Sequence, residues 1–115
     1  MEKMNKPDQT TVDKEYAIAV GIALRTERKK QKIGIELAAK AMNITASYVS
    51  QIENGKKNPT LSVLDNYAQF LGMDLFELSL KVKIIRSPDK KSLNSLIKDL
   101  SSTIETLSEL KSGSE

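Results

Sequence analysis

The run ELAAKAMNITASYVSQIENGKKNPTLSVLDNYAQFLG, residues 36–72, constrains this chain more than any other part of it. Two short apolar-patterned segments flank a tight turn at Asn43-Ile44-Thr45, and the turn-rich basic run Asn54-Gly55-Lys56-Lys57-Asn58-Pro59 follows. Such an arrangement presents one helix edge-on, with backbone donors and lysines beside it placed to grip phosphate.

The surrounding pattern is helical. From Asp13 to Lys30, Ala17, Val20, Leu24 and the stem of Arg28 recur at three- and four-residue spacing. The cations of Arg28-Lys29-Lys30-Gln31-Lys32 close that helix at its negative end. A second helix is expected from Gly34 to Met42, with Ala38, Ala39 and Met42 inward and small enough for another backbone to come close. Asn43 suits the left-handed conformation of a sharp turn. Thr45 is a good N-cap for a third helix through Asn54, with Val49 and Ile52 inward. After Gly55, Pro59 and Thr60 restart the chain into a fourth helix whose apolar face is Leu61, Leu64, Ala68 and Leu71, with Tyr67 beside it. Gly72 ends it, and Asp74 with Glu77, spaced as in a capping box, opens a short fifth segment over 75–78.

Beyond residue 78 the pattern changes. Leu78, Leu80, Val82 and Ile84 alternate with polar residues, which reads as a short strand, with continuation of the fifth helix as the competing reading. A break at Ser87-Pro88-Asp89 precedes an apolar stripe of Leu93, Leu96, Ile97, Leu100, Ile104, Leu107 and Leu110. The expected organisation is a disordered polar arm (1–12), a helical domain (13–78), a basic connector with a possible strand (79–91), an amphipathic helix (92–111) and a frayed tail (112–115).

Composition narrows the chemistry. The 115 residues contain neither Cys nor His, which removes disulfides, thiolate nucleophiles, the usual general base near neutral pH and the commonest metal ligands. No enzyme, metal site or cofactor is expected. No apolar run approaches the ~20 residues needed to span a bilayer, so no membrane association and a cytoplasmic location are expected. The net charge of +3 conceals an uneven distribution. Residues 14–60 carry nine basic and four acidic side chains, and residues 79–91 five and one, as polyanion binding requires.

Several of these residues together carry a family resemblance. They are Val20-Gly21, Leu24-Arg25 and Arg28; Ala38-Ala39; Asn43-Ile44-Thr45; the string Tyr48-Val49-Ser50-Gln51-Ile52-Glu53-Asn54-Gly55; and Pro59 with Leu61, Leu64, Ala68 and Leu71. Over residues 20–78 the chain resembles the lambda-repressor/Cro-type helix-turn-helix family, also called the xenobiotic-response-element family. The resemblance implies an all-α fold: a five-helix lambda-repressor-like domain, followed by a short strand or helix extension and a C-terminal amphipathic helix. It also implies that the third helix lies in the major groove of double-stranded DNA while the second crosses the backbone.

Carried over by position, the base-facing candidates are Ala46, Ser47, Ser50 and Gln51. Gln can bond bidentately to adenine N6 and N7, and Ala46 can touch a thymine methyl. Thr45, Tyr48, Asn54, Lys56, Lys57 and Asn58 are candidate phosphate contacts, through side chains and the backbone N–H groups of the loop after the third helix. Family members form a salt bridge at the positions of Arg28 and Glu53, which implies a structural role for that pair. One departure stands out. The family usually has Ser or Thr followed by Gln at the start of the second helix, where this chain has Gly34-Ile35. Ile35 cannot make the phosphate hydrogen bond.

The seven aliphatics of the C-terminal stripe cannot be left in water. They are expected to pair two copies, as related regulators dimerise on two half-sites of a palindrome. The leading expectation is a homodimeric, sequence-specific transcriptional repressor. The alternative is a protein-interaction module, such as an antitoxin or adaptor, whose C-terminal helix binds another protein.

Overall fold

Six α-helices make up the regular structure of the computed structural model, which describes residues 9–87 and 89–113. They are α1 (Gln9–Lys30), α2 (Ile35–Met42), α3 (Ala46–Glu53), α4 (Leu61–Phe70), α5 (Leu75–Ile85) and α6 (Lys90–Gly113), and no strand occurs among the described residues. The chain divides after Ile85 into two compact units. The all-helical expectation holds.

Within the first unit, one device ends four helices in succession. Lys32, Asn43, Gly55 and Gly72 all adopt left-handed backbone, at φ of 62°, 60°, 72° and 81°. The next residue's N–H reaches back five positions in each case: Ile33 to Arg28, Ile44 to Ala39, Lys56 to Gln51 and Met73 to Ala68, at 2.8–3.1 Å. Orphan carbonyls at each helix end are thereby satisfied. Asn43 takes the conformation its side chain tolerates. Lys32 has no such propensity; hydrogen bonds fix the chain on either side of it, from its own N–H to the Lys29 carbonyl and from Arg28 Nη1 to the Ile33 carbonyl.

Helix starts follow the caps. The Thr45 and Thr60 hydroxyls accept from the N–H of Tyr48 and Val63 at 3.0 and 3.2 Å. Asp74 accepts from the N–H of Glu77 at 2.8 Å.

Leu24, Ala38, Val49, Ile52, Tyr67 and Ala68 are wholly buried and form the centre of the core. Around them, Ala19, Ala23 and Ala39 let helices approach closely. Gly21 is the tightest point, since a Cβ there would lie 2.5 Å from the Glu53 carbonyl oxygen. That contact brings α1 against the end of α3.

Four expectations need correction. Helix α1 begins at Gln9, so residues 9–12 are helical rather than a disordered arm; no Gly or Pro interrupts them. Residues 1–8 lie outside the described residues. The strand reading of 78–84 is overturned: the segment continues α5, because Leu78 and Val82, one turn apart, are buried in the core with Ile85 packed against it. Alternation alone could not produce a strand without a partner to pair with. Leu61 is 69% exposed, because side chains lean toward the N-terminus of their helix and the first residue overhangs its end. Tyr67 occupies the core instead. Finally, Ser112 and Gly113 are helical, and only residues 114–115 of the expected tail lie outside the described residues.

The second unit contains one helix, α6. Its charged and hydroxyl residues from Ser95 to Ser112 are exposed, as are Ile97, Ile104, Leu107 and Leu110; Leu93 and Leu100 are half-buried and Leu96 is buried. No helix among the described residues is long and apolar enough to cross a membrane.

Candidate nucleic-acid interface

Helix α3 has two chemically distinct faces. Val49, Ile52 and Glu53 are buried. On the other side, Ser47 is exposed and Ala46, Tyr48, Ser50 and Gln51 are half-buried. The four proposed base-facing residues therefore lie together along one edge, at helical offsets of one, four and five from Ala46. Asn54 follows them and donates from Nδ2 to Ser50 Oγ at 3.3 Å.

What holds that edge in place is a buried polar network. Arg28 grips Glu53 in a bidentate pair, Nε to Oε2 at 2.7 Å and Nη2 to Oε1 at 2.8 Å. Its Nη1 donates to the Ile33 carbonyl at 2.7 Å. The Tyr67 hydroxyl also donates to Glu53 Oε2. One carboxylate thus ties α1, α3 and α4 together. The hydrogen bond to Glu53, against the cost of burial, holds the Arg28 guanidinium above its ordinary pKa. Burial, then the bond to Glu53, push the Tyr67 phenol well above its ordinary value of 10.0. Among the described residues no buried side-chain polar atom lacks a partner. A fully satisfied buried network of this kind fixes geometry, whereas loss of one member strands the rest.

The loop after α3 engages several of its backbone N–H groups within the fold. Those of Asn54, Gly55, Lys56 and Lys57 donate back to carbonyls of Ser50, Ile52 and, twice, Gln51 at 2.9–3.3 Å, closing the helix end. Gly55 is required there: its φ is +72°, and a Cβ would lie 2.8 Å from the Ile18 side chain. The loop offers the exposed side chains of Lys56, Lys57 and Asn58. Thr45 accepts from the Tyr48 N–H as a cap, which leaves its own O–H to donate.

Helix α1 adds cations that are not among the candidate DNA contacts. Arg25, Arg28 and Lys29 line a groove of about 410 Å³ with Ile35, Ser50, Glu53 and Asn54. Arg28 is committed to Glu53, whereas Arg25 and Lys29 are exposed. Lys14 shares a shallower recess with Lys56, Lys57 and Asn58. The i, i+4 spacing of Arg25 and Lys29 was the available sequence signal. Their position beside α3 required the fold.

Gly34 caps α2 in extended conformation (φ −78°, ψ 160°) without a side-chain hydrogen bond. A Cβ at Gly34 would meet nothing within 4 Å, so space does not dictate glycine there. Ile35 packs partly against the core and lines the basic groove, in place of a polar side chain.

Comparison with known proteins places this geometry. A helix-turn-helix family model matches residues 24–78. No curated protein sequence matches the chain. Among solved structures, the clp gene regulator ClgR from Corynebacterium glutamicum is similar in fold, with 22% identity and a TM-score of 0.58, over 78% of this chain and 90% of that one. A second structure of ClgR from C. glutamicum matches at 24% identity and a TM-score of 0.56, over 58% of this chain and 87% of that one.

Proposed function

From the match of residues 24–78 to a helix-turn-helix family model, we propose that this chain is a DNA-binding protein, a homodimeric transcriptional repressor that reads a palindromic operator through α3. The observation that carries the reading is the division of α3 into two faces. Its buried face is anchored by Arg28, Glu53 and Tyr67, while Ser47 is exposed, Ser50 and Gln51 are partly exposed, and Ala46 is partly exposed at the edge of the core. A rigid helix with short polar side chains along one edge fits the major groove, where bases are distinguished by donor and acceptor pattern. Gln51 takes adenine bidentately, and Ala46 meets a thymine methyl.

Phosphate contacts come from Thr45, Tyr48, Asn54, Lys56, Lys57 and Asn58, reinforced by Arg25, Lys29 and Lys14 on α1. These fix register without reading sequence. Ile35 forgoes the phosphate bond made elsewhere in the family, and Arg25 and Lys29 compensate from across the same groove. The fold shared with a protein named as a gene regulator supports the regulatory part of the reading. The exposed aliphatics of α6 support the dimer, because a chain reading two half-sites needs a second copy. The chain acts where DNA is, in the cytoplasm or nucleoid, and performs no catalysis.

Selection of bound sites from a random duplex pool, with the mass of the complex measured in parallel, tests this. The expected outcome is an inverted repeat with half-sites about one DNA turn, roughly 34 Å, apart, bound by two chains. Absence of salt-dependent binding to any duplex would defeat the DNA reading. A single non-repeated site bound by one chain would defeat the dimer. Increased transcription from a promoter carrying the site would reverse the assigned sign.

A further inference from the structure

Resting on the proposal that two copies associate, we infer that α6 pairs with α6 of a second copy as a parallel two-stranded coiled coil, with Leu93, Ile97, Leu100, Ile104 and Leu107 as its seam. These residues recur at alternating spacings of four and three. In heptad notation Ile97 and Ile104 occupy a positions, and Leu93, Leu100 and Leu107 occupy d positions. β-Branched residues at a with Leu at d favour two parallel strands.

The rest of the helix obeys the same register. Lys98 and Glu105 fall at b, Asp99 at c and Glu109 at f, so every charge between residues 92 and 110 lies away from the seam. The flanking e positions hold Asn94, Ser101 and Ser108, and the g positions Leu96, Thr103 and Leu110. No like charges oppose each other across such a pair. Thr103 hides its polarity as well, since its hydroxyl donates to the Asp99 carbonyl at 2.9 Å.

The competing seam, shifted to Leu93, Leu96, Leu100, Thr103, Leu107 and Leu110, centres a Thr and leaves Ile97 and Ile104 outside. Those two side chains are 59% and 62% exposed, and the shifted seam leaves both in water. The chosen seam covers both, with Leu110, 64% exposed, on its g flank. It also ends naturally, because the next a position is Lys111. From Leu93 to Leu107 the seam spans about 21 Å of helix. Pairing along it buries on the order of 1,000 Å² in total, the lower bound of a specific interface. Parallel pairing also brings the two connectors of residues 86–89 to the same end.

The absence of cysteine in the chain makes a direct test possible. Leu93→Cys and Leu107→Cys are prepared separately in the full chain and oxidised mildly. Equivalent d positions face each other in a parallel pair, so each variant alone is expected to form covalent dimer in the majority of molecules. If neither variant crosslinks alone but a mixture of the two does, the helices run antiparallel and the inference is overturned. If both fail while solution mass still shows a dimer, α6 is not the seam. If the unmodified chain is monomeric at all concentrations, the association itself is refuted. As a second readout, Ile104→Lys is expected to raise the dimer dissociation constant at least tenfold, and Ser102→Lys, at f, to leave it unchanged. Equal effects of the two would contradict the assigned face.

Discussion

The two faces of α3 carry polar groups put to opposite uses. On one, the Glu53 carboxylate is buried and accepts from both Arg28 and Tyr67. On the other, Ser47 and Gln51 keep their side chains toward solvent. Both sets lie within one helix of eight residues. The difference is one of commitment. Inside, every donor and acceptor is already matched, so polarity contributes rigidity and no capacity to bind. Outside, groups remain open, and their value lies in what they can still meet. A helix that reads another molecule needs the first to make the second precise.

The sharpest way to break this contrast is Glu53→Ala. It leaves the buried Arg28 guanidinium with the Ile33 carbonyl and removes the acceptor of Tyr67. Stranding a buried charge costs about 3–5 kcal/mol, visible as a fall in the urea midpoint at an unchanged slope. A loss below about 1 kcal/mol would mean that the pair behaves like a surface salt bridge and that α3 is not anchored by it. Tyr67→Phe is the milder version. Losing one hydrogen bond to a charged group is expected to cost about 2 kcal/mol.

The same tyrosine sets a pH dependence. Its phenol is raised in the folded chain, so on alkaline titration the unfolded chain loses that proton first. The Tyr67 contribution is therefore intact below about pH 10 and is lost progressively above it, by at most about 1.4 kcal/mol per pH unit. Urea midpoints between pH 8 and 11 should show the decline, and Tyr67→Phe should flatten it. A decline of equal slope in the variant would place the titrating group elsewhere.

Sequence periodicity located the five helices of the first unit with the help of punctuation between them: Thr45, Thr60 and Asp74 start three of them, and Asn43, Gly55 and Gly72 end three. It missed what depends on neighbours. Residues 78–84 alternate as a strand does, yet a segment of that length cannot choose its conformation without a partner, and the partner is helical. Leu61 counted as core because its spacing is right, although a helix's first residue has nothing beneath it. Tyr67 was placed beside the apolar face. That its hydroxyl completes a buried network with Arg28 and Glu53 follows only from the approach of three helices, two of them distant in sequence. For the interface, the candidate edge residues of α3 come from the family resemblance, position by position. The cations of α1 were not legible, because nothing in their spacing says which other helix they face. That the amides of residues 54–57 turn back on the helix end likewise follows from the fold, through the left-handed Gly55.

On the open face, Gln51→Ala should leave the urea midpoint within about 0.5 kcal/mol of the parent, as surface substitutions do. Its effect should appear in DNA binding instead. Preference at one operator base pair should relax, at a cost of about 1–3 kcal/mol. Repeating the duplex selection with the variant measures this directly. Uniform weakening at every operator position would assign Gln51 to the backbone rather than to a base.

Lys56→Ala is expected to give the smallest change in stability and the most diagnostic change in salt response. The side chain is exposed, and the loop amides around it are held by the end of α3 rather than by the lysine. Its removal therefore should not disturb the helix. If Lys56 neutralises one phosphate, binding should weaken equally on operator and non-operator duplexes, because a phosphate carries no sequence. The slope of log affinity against log salt should fall by about 0.9, the counterions released per neutralised charge. Arg25→Ala and Lys29→Ala should do the same from α1 if the groove beside Ser50 and Asn54 holds a backbone phosphate. An unchanged salt slope in all three variants would leave those cations as ordinary solvated charge, and the grip on DNA would then have to come from α3 alone.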